Sequence, residues 1–192
     1  LTVGVGQWGD TLVADAWNRD PVNRIQVGDE TTGSYNALAV EFLGDSEHFV
    51  AVGGKGAFVV NALSGEVVTH YTDMLGDITD VAVDGTTVVT PSASGQFHRW
   101  NAMTGELLGE VPQGTIIPAH AVDFARDGER YAVGGEMGVV AVFDASNDQM
   151  LWSTQLDRRV TGVRFSTDNR VLLLQETGTP DQDDTLSLWC MP

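Results

Sequence analysis

Cys190 is the single cysteine in 192 residues, so no disulfide can form within the chain. It reads as a small buried hydrophobe near the chain end. Lysine is almost missing: Lys55 stands alone beside nine arginines. Basic residues total 10 against 27 acidic ones, for a net charge of −17. A surface this acidic repels phosphate backbones, which argues against nucleic-acid binding. Abundant Asp with scarce Lys fits a salt-adapted proteome or a GC-rich genome, and the charge serves solubility. No apolar run approaches the ~18 residues of a transmembrane helix, so no membrane insertion is expected. These residues show no leader-peptide pattern, and a cytoplasmic location is the expectation.

Metal and catalytic patterns are equally scarce. His48, His70, His98 and His120 show neither i,i+2 nor i,i+4 spacing, and no cysteine pair accompanies them. Asp181-Gln-Asp-Asp184 offers hard oxygen ligands for Ca²⁺ but lacks EF-hand spacing, so a solvated acidic loop is expected. Gly53-Gly-Lys-Gly56 lacks phosphate-loop spacing and reads as a tight hairpin, and Gly4-Val-Gly6 is weaker still. Ser166, Thr167 and Asp168 form a turn and not a triad. The expectation is a chain that is not an enzyme and binds no cofactor.

What is present is a repeat. Val40-Glu-Phe42, Val81-Ala-Val83, Val122-Asp-Phe124 and Val163-Arg-Phe165 recur every 41 residues. A second register places a large apolar residue before Asn or Asp: Trp17-Asn18, Val60-Asn61, Trp100-Asn101 and Phe143-Asp144. Trp189-Cys190 continues it with cysteine in the second place. A third register follows, with Leu63-Ser-Gly-Glu66, Met103-Thr-Gly-Glu106 and Ser146-Asn-Asp-Gln149. Within each unit, short alternating apolar runs are separated by turn residues, which predicts antiparallel strands.

The Ala121–Leu156 stretch is the clearest unit. Asp127-Gly128, Glu136-Met137-Gly138 and Ser146-Asn147-Asp148 close its three hairpins. Complete four-stranded units are predicted over 37–71, 79–111 and 121–156. Partial units cover 1–27 and 161–189. Val171–Leu174 is apolar on both faces, as expected of a strand held between two sheets. A four-stranded unit of ~40 residues repeated in this way predicts a β-propeller blade. The fold expected is therefore all-β: a β-propeller of four-stranded antiparallel blades, three complete and two partial, forming an incomplete ring. The first unit lacks its innermost strand and the last its outermost, so a chain or segment outside these residues is expected to complete the ring.

Val122-Asp-Phe-Ala-Arg-Asp-Gly-Glu-Arg-Tyr-Ala-Val-Gly-Gly135, ending in Val142-Phe-Asp144, resembles a WD-repeat blade, as does Phe165-Ser-Thr-Asp-Asn-Arg-Val-Leu-Leu173. The chain departs from that family where Gly76-Asp77 or Ala119-His120 stand near the usual Gly-His, and where Trp-Asp survives as Trp-Asn or Phe-Asp. These departures imply that the family's His–Ser–Asp–Trp hydrogen-bond network is not formed. Asp148–Ser153 is similar, over a few residues, to quinoprotein propeller repeats.

The resemblance implies a non-catalytic scaffold that binds other proteins within a larger propeller or assembly. Two alternatives stay open. One is an exported quinoprotein-type or other ligand-binding propeller enzyme. The other is a sensor propeller fused to a signalling or defence domain outside this chain. Loops between second and third strands, and between blades, should share one rim. That rim would carry Lys55, Met74, Ile116, Ile117, His120, Met137, Arg158 and Arg159, types that anchor protein interfaces. Ile116 and Ile117 sit in Gly114-Thr-Ile-Ile-Pro118, where they serve either an interface or a plug between blades. His98 shares a strand face with Trp100, and a locally polar blade surface is expected around it.

Overall fold

A computed structural model describes residues 2–5, 10–14, 21–26, 38–54, 56–72, 76–111, 116, 118–178 and 183–191. Among them there are eighteen strands and no helix, arranged as five antiparallel sheets in chain order. The first is three-stranded: β1 (Thr2–Val5), β2 (Asp10–Ala14) and β3 (Pro21–Gln26). The second holds β4 (Ala39–Phe42), β5 (His48–Gly53), β6 (Gly56–Asn61) and β7 (Val67–Tyr71). The third holds β8 (Ala82–Asp84), β9 (Thr87–Pro91), β10 (Phe97–Asn101) and β11 (Leu107–Val111). The fourth holds β12 (Ala119–Phe124), β13 (Arg130–Gly135), β14 (Val139–Asp144) and β15 (Met150–Gln155). The fifth is three-stranded: β16 (Arg159–Phe165), β17 (Val171–Thr177) and β18 (Thr185–Cys190). Every strand expected from the repeat is present, with ends shifted by a few residues.

Local chemistry explains the second and third registers. Asn61 Oδ1 accepts from the amides of Leu63 and Ser64, and Asn101 Oδ1 from those of Met103 and Thr104. Asp144 Oδ1 accepts from Ser146 N. These side-chain turns start the last hairpin of each complete sheet. Its tightest residue has positive φ: Gly65 at 75°, Gly105 at 71° and Asp148 at 60°. Just before each Asn or Asp, the ladder to the fourth strand slips by one residue.

Packing between sheets makes the core. Val50, Ala57 and Val59 of the second sheet meet Val88 and Trp100 of the third. Val89 and Phe97 of the third meet Tyr131 and Phe143 of the fourth. Ala132, Val140 and Val142 of the fourth meet Val160, Val163, Leu172 and Leu174 of the fifth. Val3 of β1 packs on the second sheet's Phe49–Val60 face. Each sheet thus sends one face back to its predecessor and the other forward.

Polar links run between sheets too. Arg99 of β10 grips Asp148 of the fourth sheet through Nε and Nη2, both at 3.0 Å, and the Tyr131 hydroxyl donates to the same carboxylate at 3.0 Å. The Arg99 and Asp148 side chains are only 10% and 9% exposed. The bidentate fork suits a carboxylate withdrawn from water. Gly109 leaves room for it, since a Cβ there would collide with Asp148.

Three expectations need correction. His98 is buried, not part of a polar surface. Its Nδ1 lies 2.6 Å from the Tyr71 hydroxyl, while Tyr71 stacks on Trp100 at 5.1 Å. The aromatic residues of two sheets enclose it. Cys190, expected as a small buried hydrophobe, is exposed. The first unit, expected to be without its innermost strand, places β1 beside β4, the first strand of the second sheet. Trp100 Nε1 donates to Thr90 Oγ1 at 3.3 Å.

Removing Arg99 strands the Asp148 charge between sheets. Arg99→Ala is expected to destabilise the fold by about 3 kcal/mol in urea unfolding. Arg126→Ala, on an exposed turn, should stay within about 0.5 kcal/mol of the parent.

Candidate functional site

The first strands of the sheets lie side by side along one edge of the stack. Their outer backbone groups have no ladder partner, and side chains from neighbouring sheets cap them. Asp80 Oδ2 accepts from Val122 N at 3.0 Å, and Asp123 Oδ2 from Phe165 N at 2.7 Å. Arg164 Nη1 donates to the Val122 and Val163 carbonyls and lies 3.6 Å from Asp123 Oδ1. A strand edge left bare would invite pairing with another chain, and these caps blunt it.

Glu41 of β4 joins this row electrostatically. Burial pushes its carboxyl up to about 7, Arg164 opposes the shift, and Asp123 and Asp80 add to it. Burial also raises Asp80 and Asp123, although backbone amides and Arg164 pull them down. Glu41 sits in the second sheet and Arg164 in the fifth, and between them the first strands of consecutive sheets lie in contact. Among the described residues, no group of three or more His, Cys, Asp or Glu is placed to hold a metal ion.

Of the residues expected on one rim, His120, Met137, Arg158 and Arg159 lie where connections between sheets meet the loop between β13 and β14. Hydrogen bonds tie the loops between second and third strands to the connections between sheets: Glu136 N donates to Pro118 O, and Leu156 N to Gly138 O. His120 Nε2 lies 2.7 Å from Glu136 Oε2, and Arg159 Nη1 lies 3.5 Å from the same oxygen. Met137 follows at 66% exposure. Arg158 donates to the Asp183 carbonyl at 3.0 Å and to Thr185 Oγ1 at 2.8 Å. The hydrogen bond from His120 holds Glu136 below the usual carboxylate range, aided by Arg159.

Ile116 does not belong to that surface. It is 2% exposed, in the core between the third and fourth sheets, and a Cβ on Gly135 would strike its Cγ2. Of the two roles open to it, this residue takes the packing one. Lys55, Met74 and Ile117 lie outside the described residues. Sequence reasoning missed Glu136, although it stands in the same turn as Met137. It also missed the carboxylate row, whose trace was the polar middle residue in three of the four copies of the 41-residue repeat, with Asp80 standing just before the remaining copy.

On the opposite rim, a cleft of about 660 Å³ lies between the first hairpin turns of the fourth and fifth sheets. Asp127, Arg130, Asp168 and Arg170 line it with balanced charge, and Asn169 bridges to Asp127 at 2.7 Å. None of these charged groups is buried, so the cleft has shape but no focused chemistry.

No family model matches the chain, and the comparison with curated proteins found no match. In shape it is similar to 1612 solved chains, so widely shared a form that it carries no specific activity. One is the computationally designed Ika8 protein, with a TM-score of 0.78 and 17% sequence identity. The match covers 98% of this chain and 55% of that one. At this identity the likeness establishes the fold alone.

Two measurements test the electrostatics. The Glu41 carboxyl binds its proton more tightly folded than unfolded, so its contribution to stability is complete below about pH 4.5 and is lost as pH rises through about 7. Glu41→Gln should melt like the parent at pH 4.5 and gain on the order of 2 kcal/mol over it by pH 8, allowing for partial exposure. In His120→Ala, the Glu136 carboxyl should titrate at higher pH than in the parent, as read by carbon-detected NMR.

Proposed function

We propose that this chain is an arc of a WD-repeat-like β-propeller that serves as a non-catalytic scaffold and binds other proteins on the His120–Glu136–Met137–Arg159 rim. One observation carries the arc: among the described residues, the first strands of consecutive sheets approach one another closely, and their fourth strands do not approach comparably. Sheets stacked flat would keep first and fourth strands equally far from those of the next sheet, about 10 Å away. Convergence of first strands is what a propeller requires.

The rim supports the binding reading. Met137 projects from a turn whose backbone is pinned by Gly138 O to Leu156 N and by the Gln155 amide to Met137 O at 3.2 Å. A flexible apolar side chain on a fixed turn, next to the Glu136–Arg159 pair, is the composition of an interface anchor. Asp80, Asp123 and Arg164 are committed to capping backbone, whereas Met137 on the rim stands exposed.

A photo-crosslinking residue at position 137 should capture a partner that one at position 151, on a fourth strand, does not. Met137→Asp with Arg159→Glu should reduce that capture about tenfold or more while leaving the melting temperature within a few degrees. No capture at position 137, or equal capture at position 151, would overturn the rim assignment.

A further inference from the structure

The forward faces of the sheets are equivalent residue for residue. In the second sheet Val50 pairs with Val59 and Val52 with Ala57. In the third, Val89 pairs with Arg99 and Pro91 with Phe97. In the fourth, Ala132 pairs with Val142 and Gly134 with Val140. In the fifth, Leu173 pairs with Leu188 and Gln175 with Leu186. Val50, Ala57, Val59, Val89, Phe97, Ala132, Val140 and Val142 are all covered by the next sheet. Leu186 and Leu188 hold the same places and are 68% and 73% exposed. Leu173 beside them is half-buried, and Cys190 extends the same face to the end of β18.

We infer that this forward face of β17 and β18 is a joint covered by one further antiparallel sheet, carried on a continuation of the same polypeptide. The inference rests on the arc reading above and names the place where the arc goes on. Its occupant has a defined chemistry. The third to fifth sheets meet their predecessors with a second-strand residue paired to an aromatic one on the third strand: Val88 with Trp100, Tyr131 with Phe143, Leu172 with Trp189. In the second sheet Phe49 and Val60 hold these places, with the aromatic on the second strand. The covering sheet presents such a pair to Leu173, Leu186 and Leu188.

Three observations favour a continuation over a second copy. The second to fifth sheets are joined through faces of sheets consecutive on one chain. Two copies, each at −17, repel one another. In the designed Ika8 protein, the part similar to this chain takes up 55% of a longer chain. Leucines that stand two-thirds exposed, side by side, need a cover.

Cys190 is a built-in reporter of that cover. The complete open reading frame containing these residues is expressed beside residues 1–192, and maleimide labelling of Cys190 is followed by peptide mass spectrometry. In residues 1–192 the thiol should react at the rate of an unfolded control, at every protein concentration. In the complete polypeptide it should react at least about tenfold more slowly. Leu188→Ser should restore much of that rate in the complete polypeptide and leave residues 1–192 unchanged. Three results would overturn the inference: equal rates in both proteins, concentration-dependent protection of residues 1–192 with a doubled mass, or a reading frame that ends at Pro192. Each can occur while crosslinking at position 137 still succeeds, so failure of the joint and failure of the rim reading are separable.

Discussion

An antiparallel sheet that is apolar on both faces is stable only between two neighbours, and everything else here depends on that cover. Burial is worth roughly 25 cal/mol per Å² of apolar surface, and two hydrophobic faces double what must be hidden. The chain meets this demand by repetition. An aromatic residue on the third strand reaches back, as Trp100, Phe143 and Trp189 do, and valines and alanines, with Phe97 in the third sheet, meet the next sheet in front. Each interface resembles the others because each is built from the same two strand positions.

Stacking creates a second problem at the first strands, whose outer backbone groups lie where sheets crowd together. Asp80 and Asp123 solve it by accepting amide hydrogens of the following sheet, and Arg164 by donating to carbonyls. The solution gathers carboxylates in a partly dry row. Desolvation then outweighs the help of Arg164, and the carboxyls hold their protons more tightly than usual. The Arg99–Asp148–Tyr131 cluster is a different device. There a full guanidinium fork meets the carboxylate, and the pair locks the third sheet to the fourth.

The strand plan was legible because its signals are local. Alternation, Asp-Gly turns and the Asn or Asp after each large apolar residue are read within a few positions, and each has a hydrogen bond or a positive φ behind it. The candidate site was less legible. Met137, Arg158 and Arg159 were found because turn residues without a packing partner stand out. Ile116 looked the same in sequence, yet Gly135, nineteen residues later, leaves the hole that it fills. His98 reads as a polar intruder until Tyr71, from another sheet, supplies its hydrogen bond.

By itself the sequence determined the class of structure, the strand order, the turn types and the absence of recognisable catalytic spacing, since all of these depend on neighbours along the chain. The tertiary structure alone decided which polar residues are buried, which carboxylates share a row and which leucines lack a cover. Those properties depend on residues about forty positions apart being brought face to face. Leu188 and Val142 illustrate the difference: the repeat gives them the same place, but only the stacked sheets reveal that Val142 is covered and Leu188 is not.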